Sequence, residues 1–299
     1  MAVPQNGVLA LGTSSHAYLE FDRLPGIDAA ALVHALAELA VSVRTTGAVS
    51  LVVGIRPELW AEVAPDDAPA GVRGYDEPVT GPDGFTMPAT QHDAVIWVSG
   101  GSRSVVFDGS TSAVAALHAV AALADETTAW SHHHDRDLTG FEDGTENPSA
   151  AEAPGVVLVP DGRPGAGGSV LLLQKWRHDA DRWYALDRGT QEDVIGRTKP
   201  DSVELDPKPA DAHAARTDQD TYGHIFRRNS AYGDTSDHGT MFVGFCASQG
   251  PLATMLDAMA GKDGPRDALT RYTTALTGAY YVVPAADALV RLAPATVGD

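Results

Sequence analysis

The chain has 299 residues, 43% of them hydrophobic and 20% charged. That length holds one large domain or two of roughly 150 residues with a sizeable core, and excludes a small domain that must be stapled. The formal net charge of −19 excludes a nucleic-acid backbone as partner, and a single cysteine excludes a disulfide framework or a multi-cysteine metal site.

In chain order, MAVPQNGVLALG lacks a basic segment followed by a long apolar run, and no stretch of about 18 apolar residues occurs anywhere, so the expectation is a cytoplasmic chain with no membrane partner. A strand is predicted near Val8–Gly12. A helix over Ala29–Ser42 follows, carrying Leu32, Leu36, Leu39 and Val43 at helical spacing with Asp28 as its N-cap. Strands near Ser50–Ile55 and Ala94–Ser99 flank a loop rich in Pro, Gly and Asp over residues 64–84. A helix near Ser112–Leu123 closes the first half.

The second half repeats this order of elements. A strand at Ser169–Trp176 precedes a short helix at Thr190–Ile195, then two strand-like arms at His213–Thr217 and His224–Asn229 joined by the turn DQDTYG. A strand at Met241–Ala247 holds Cys246, read as a small buried hydrophobe. Helices near Pro251–Ala260 and Arg266–Leu276 and a strand at Tyr280–Val283 complete the pattern. The recurrence predicts two related α+β domains, residues 1–130 and 131–299.

The densest chemistry lies in DLTGFEDGTENP, residues 137–148, where Asp137, Glu142, Asp143 and Glu146 sit among glycines. Gly140 and Gly144 free the backbone for tight turns that hold a carboxylate against a ligand, although a solvated acidic turn explains the run equally well. In HIFRRNSAY, Arg227 and Asn229 share one face of a strand and form a donor-rich surface suited to an anion or a polarised oxygen. Arg228 falls on the opposite face and reads as a solvated charge. His213, between alanines, could approach a flat cofactor without crowding, but a lone histidine is more often structural. Consecutive His132, His133 and His134 cannot converge on one metal and read as a polar linker. Trp176 and Trp183 read as packing aromatics.

GFEDGTENP resembles the GxxDG motif of the dye-decolorizing peroxidase family, in the form common in its B-type subgroup. VIGRTK (194–199), VELDPKPADAH (203–213), FRRN (226–229) and TTALTGAYYVVP (273–284) agree in order and rough spacing. The resemblance implies two ferredoxin-like domains, each an antiparallel sheet with helices, with one heme b bound mainly by the C-terminal domain. It makes His213 the ligand of the heme iron, Asp143 the distal carboxylate, and Arg227 and Asn229 the distal donors, with Arg227 also touching the cofactor. Arg197 becomes a partner for a heme propionate. The implied activity is reduction of hydrogen peroxide with oxidation of dyes, phenols or other one-electron donors, in a homo-oligomer.

One feature departs from the family pattern. Relatives often carry an acidic residue just before the aromatic position of the late helix, where it can bond the proximal imidazole. Here Arg271 precedes Tyr272, which leaves the hydrogen-bond partner of the His213 imidazole open. Two other readings stay open at this stage, a non-catalytic heme-handling protein and an acid/base pair formed by Glu142 and Asp143.

Overall fold

The computed structural model describes residues 2–42, 49–133 and 136–293. Val43, His134 and the last residues, which the sequence analysis touches, lie outside the described residues. The strands are β1 (Ser15–Arg23), β2 (Val49–Ile55), β3 (Val79–Thr80), β4 (Thr86–Met87), β5 (Ala94–Gly100), β6 (Ala121–Trp130), β7 (Ser169–His178), β8 (Phe226–Arg227), β9 (Ser230–Gly233), β10 (His238–Cys246), β11 (Thr273–Ala275) and β12 (Ala279–Val283). The helices are α1 (Asn6–Leu9), α2 (Ala29–Ser42), α3 (Pro57–Val63), α4 (Arg103–Leu117), α5 (Ala153–Val157), α6 (Ala180–Tyr184), α7 (Arg188–Ile195), α8 (His213–Arg216), α9 (Gln219–Tyr222), α10 (Gln249–Met259) and α11 (Ala286–Leu292).

The α+β class and the antiparallel pairing are as expected. Strands of both halves run through one sheet in the order β11-β7-β12-β2-β5-β1-β6-β9-β10-β8, and β10 pairs again with β7. That extra pairing closes eight strands into a barrel-like ring. The halves meet where Ala129 and Trp130 pair with Tyr232 and Ala231, and where Val282 pairs with Ile55.

Side chains alternate across this sheet, so each strand serves two cores. Tyr18, Val52, Trp97, Leu171, Leu173, Val243, Phe245 and Tyr281 fill the inside of the ring. Ala17, Leu19, Phe21, Val53, Ile55, Ile96 and Val98 face outward under α2, α3, α4 and α11. On the second half, Leu172 and Trp176 face outward toward Leu252, Met255 and Leu256 of α10, and a cavity lies between these layers.

Helix α2 has the expected bounds, and the Ala31 backbone N–H donates to Asp28 at 2.8 Å. The strand expected at Val8–Gly12 is instead the short helix α1, and β1 begins at Ser15. Polar His16 and Glu20 hide β1 in the sequence. Both are buried because Trp97 Nε1 donates to His16 at 3.3 Å and Tyr281 donates to Glu20 at 2.6 Å. Helix α4 ends at Leu117, and residues expected to continue it form β6, which pairs with β1. The arm at His213–Thr217 is the helical turn α8, and the following turn is helix α9, capped by Asp218. The late helix is a 3-10 turn over Ala268–Arg271 that passes into β11 against β7. Cys246 is buried as expected. No helix among the described residues is long and apolar enough to cross a membrane.

Candidate active site

The cavity outside the ring has about 1190 Å³ of free space, part of it open to solvent. Leu172, Ile225, Phe242, Leu252, Met255 and Leu256 give it apolar walls, as in most small-molecule sites. His213, Asp143, Arg227, Asn229 and Arg197, the residues singled out from sequence, all line it.

The acidic loop owes its shape to two glycines in the left-handed region, Gly140 at φ 87° and Gly144 at φ 73°. A Cβ on Gly144 would lie 2.7 Å from Asn147 Nδ2, so the turn depends on glycine twice over. Asn147 then clamps the next element. Its Nδ2 donates to the Arg227 carbonyl and its Oδ1 accepts from the Arg227 N–H, each at 2.8 Å. The loop is thereby tied to β8, and Asn229 Nδ2 donates to Asp143 Oδ2 at 2.7 Å. Asn229 Oδ1 accepts from the Val243 N–H at 3.0 Å, which fixes its amide orientation. Arg227 Nε lies 3.9 Å from Asp143 Oδ1 and is buried without a hydrogen-bond partner.

Arg228 points away from this cavity, as its parity requires, but it is not a solvated charge. Its guanidinium donates to the Gly7 and Val8 carbonyls and lies 4.4 Å from the centre of the Trp97 ring. Burial pulls it down to about 10. Arg197 donates to Glu146 at 2.8 Å and to Glu204 at 2.6 Å, so its charge is already met by two carboxylates at the cavity wall. The rings of His132 and His133 lie 4.1 Å apart at a tilt of 56°, and among the described residues they belong to no group of three that could hold a metal.

His213 begins helix α8, and its Nδ1 is bonded to Asp267 Oδ2 at 2.6 Å. Asp267 is fully buried, and its other oxygen accepts from the Leu269 N–H at 2.9 Å. Burial acts to lower the His213 pKa, but the Asp267 carboxylate outweighs it, and the net shift is upward. The partner left open by Arg271 is therefore Asp267. Arg271 pairs with Asp211 at 3.0 Å, while the carboxylate arrives from four residues earlier, at the cap of the 3-10 turn.

Two contributors escaped the sequence reading, Asp267 and Asn147, while Asp137, named there only as one of four carboxylates, also lines the cavity. Asp267 in RDALTR carries an Asp-to-turn signal, but nothing in the sequence says which side chain its second oxygen meets. Asn147 sits inside the recognised motif and was passed over as part of a turn.

The donor set fits an iron porphyrin. Among the described residues no group of three or more His, Cys, Asp or Glu could hold a metal ion by itself, and His213 is a single imidazole of the kind that holds a heme iron. Arg227 Nε and Gln174 Nε2 are buried donors without partners on the same cavity. Such orphaned donors mark a place where a ligand supplies acceptors.

One apolar cavity beside a closed antiparallel sheet is thus lined by a carboxylate-bonded imidazole and by a carboxylate, a guanidinium and an amide. The family model for the C-terminal part of Dyp-type peroxidases matches residues 134–288. A dye-decolorizing peroxidase of Rhodococcus erythropolis is 35% identical over 254 residues, 81% of this chain and 74% of that protein. A dye-decolorizing protein from V. cholerae superposes with a TM-score of 0.85 at 32% identity, covering 95% of this chain and 98% of that one. A variant of DypB from Rhodococcus jostii in complex with heme gives a TM-score of 0.85 at 30% identity, covering 96% and 97%. The chain belongs to the dye-decolorizing peroxidase family and is a peroxidase. Neither the carrier reading nor the Glu142/Asp143 acid/base pair is favoured, and Glu142 is occupied with Ser202 at 3.1 Å.

Proposed function

We propose that this chain is a heme b peroxidase in which His213 holds the iron and Asp143, Arg227 and Asn229 handle hydrogen peroxide. The observation that carries the reading is one apolar cavity lined by an imidazole with Nδ1 bonded to a carboxylate and by an Asp143–Asn229 pair beside an unpartnered guanidinium. With Nδ1 engaged, Nε2 is the ligating atom, and the Asp267 bond makes the ring a stronger electron donor. The bound heme supplies the redox chemistry, taking up the two oxidising equivalents of peroxide and releasing them to one-electron donors such as dyes or phenols.

The protein's part is to bind peroxide and move one proton. Asp143 Oδ1 accepts no hydrogen bond from a described residue and is placed to take a proton from one peroxide oxygen and return it to the departing one. Arg227 Nε offers an unsatisfied charged donor to the oxygen on which negative charge develops, and a donor of this kind is worth about 3–4 kcal/mol. Asn229, held by Val243, keeps the Asp143 carboxylate in one orientation. The apolar side chains of β7, β10 and α10 keep bulk water from the reacting oxygens.

Arg197 is proposed as a propionate partner at the edge of the cavity, reached by exchanging one of its two carboxylates. Residues 1–130 and 131–299 are read as two ferredoxin-like domains, with the heme mainly on the second. What supports this is a shared order of elements. In the first half β1, β2, β5 and β6 alternate with α2 and α4, and lie in the spatial order fourth, first, third, second. In the second half β7, β9, β10 and β12 lie in that same order. A homo-oligomer in the cytoplasm with small-molecule donors is the reading adopted for its setting. Sedimentation velocity checks the assembly.

His213→Ala tests the centre of the proposal. The variant is expected to purify without the Soret band of the parent protein, or with a shifted, weakly held chromophore. An unchanged ferric spectrum would overturn the ligand assignment.

A further inference from the structure

A second cavity, with about 1130 Å³ of free space partly open to solvent, shares a wall with the first. Asp137, Glu142, Asp143, Arg227, Asn229 and Thr240 line both. Its outer parts are formed by Leu11, Thr13, Ser131 and His132. The shared wall thus borders two spaces, each partly open to solvent.

Of the three carboxylates on the shared wall, Glu142 is bonded to Ser202 and Asp143 to Asn229. Asp137 is held only by its own turn. Its Oδ1 accepts from the Thr139 N–H at 2.9 Å and from the Thr139 hydroxyl, and Oδ2 takes no bond from a described residue. The cations nearby are engaged elsewhere. Arg136 donates to the carbonyls of Gly140, Lys199 and Pro200, and Lys199 donates to Gln191 at 2.7 Å while lying over the Phe141 ring.

We propose that Asp137 is a proton-relay and positioning residue for the peroxide site, exchanging protons between solvent in the outer cavity and Asp143 in the inner one. Only O–H bonds are made and broken. A proton from solvent binds Oδ2 of Asp137, passes through hydrogen-bonded solvent to Asp143, and Asp137 is recharged from the outer side. The inference rests on the role given above to Asp143.

Burial pushes the Asp137 carboxyl up to about 6, against the Thr139 bonds, and the charge of Asp143 adds to the rise. The other groups that face it are His213 across the inner cavity, Lys199 and Arg136 from the flanking segments, Glu142 and Arg227 on the shared wall, and His16 and His132 in the outer cavity. Of these, His213 opposes the rise.

The test uses the heme-loaded protein and reads both rate and protonation. The second-order rate of the peroxide reaction, followed across pH 4–8, is expected to bend near pH 6 in the parent. Asp137→Asn should abolish that bend, while Asp137→Glu should retain one. Thr139→Val removes the hydroxyl that favours the anion and should move the bend upward. Infrared difference spectra across the same range should show a protonated carboxyl C=O band that is lost in Asp137→Asn. That band reports Asp137 whether or not Asp143 activates peroxide. A missing band, or a bend that persists in Asp137→Asn or stays fixed in Thr139→Val, overturns the proposal. A rate unaffected by Asp143→Ala, with the band intact, would instead sink the role of Asp143.

Discussion

An asparagine at position 267 could satisfy only one of the two donors that Asp267 now serves. One oxygen accepts from the Leu269 N–H and the other from His213 Nδ1, and Asp267 itself is fully buried. In Asp267→Asn the amide presents a single acceptor and an NH₂ group, so either the 3-10 turn or the imidazole is left facing a donor. The imidazole then loses both its orientation and part of its basicity. Replacing such a partner costs roughly 10–100-fold in metal-site affinity or activity. We expect Asp267→Asn to hold heme about tenfold or more less tightly, and its iron to be easier to reduce. Heme transfer to apomyoglobin and a redox titration measure the two effects. An unchanged potential would show that the carboxylate does not tune the ring.

The strand that shapes the cavity floor is set by a contact no periodicity reveals. Gly239 is the second residue of β10, and a Cβ there would stand 1.8 Å from the Trp176 carbonyl oxygen of β7. Backbone cannot yield as a flexible side chain can, so Gly239→Ala must part β10 from β7 where the ring closes. We expect a loss at or above the upper end of the roughly 1–3 kcal/mol typical of overpacking, measured by urea denaturation. Heme uptake should weaken with it, because Trp176 lines the cavity. Elements of this kind divide by how they bury. Helix α2 and strands β2, β5, β7, β10 and β12 are apolar stripes or runs, and their places were readable. Strands β1 and β6 were not, because His16 and Glu20 are polar yet buried by tertiary bonds and much of β6 is exposed. The arm at His213 was misread for a related reason. A four-residue helical turn is too short to show a period, and α8 is fixed by contact with α10 and α7. Within the site, Arg227 and Asn229 were legible because strand parity alone puts them together. His213 and Asp143 needed the family motif as well. Asp267 and Asn147 act through partners distant in sequence, of which local pattern carries no trace, and Asp137 showed only as one carboxylate among four.

Closing the ring and covering its outer face bury titratable groups, and their opposite preferences balance. Glu20 on β1 reaches across the interior to Tyr281 on β12, two strands that are not neighbours in the sheet. Burial pushes Glu20 up to about 7 and, as above, Asp137 up to about 6. Burial also pulls His16 and His178 down to about 4, with Arg228 and His238 respectively adding to the effect. For the raised acids, the folded chain binds protons more readily than the unfolded one between their ordinary values and these, so they add stability as pH falls through that window. For the two depressed histidines the unfolded chain is the better proton acceptor between about pH 6.5 and 4, so stability falls with pH over the same range. Net stability of the heme-loaded protein should therefore change little between pH 7 and pH 5. Glu20→Gln removes one acid from the balance and leaves both histidines. At about 1.4 kcal/mol per pKa unit, the variant should lose on the order of 2 kcal/mol more than the parent on going from pH 7 to pH 5. Urea denaturation at the two pH values reads the difference. An equal change in parent and variant would mean that Glu20 does not take up its proton in that interval, and that the interior bond to Tyr281 is held by a carboxylate throughout.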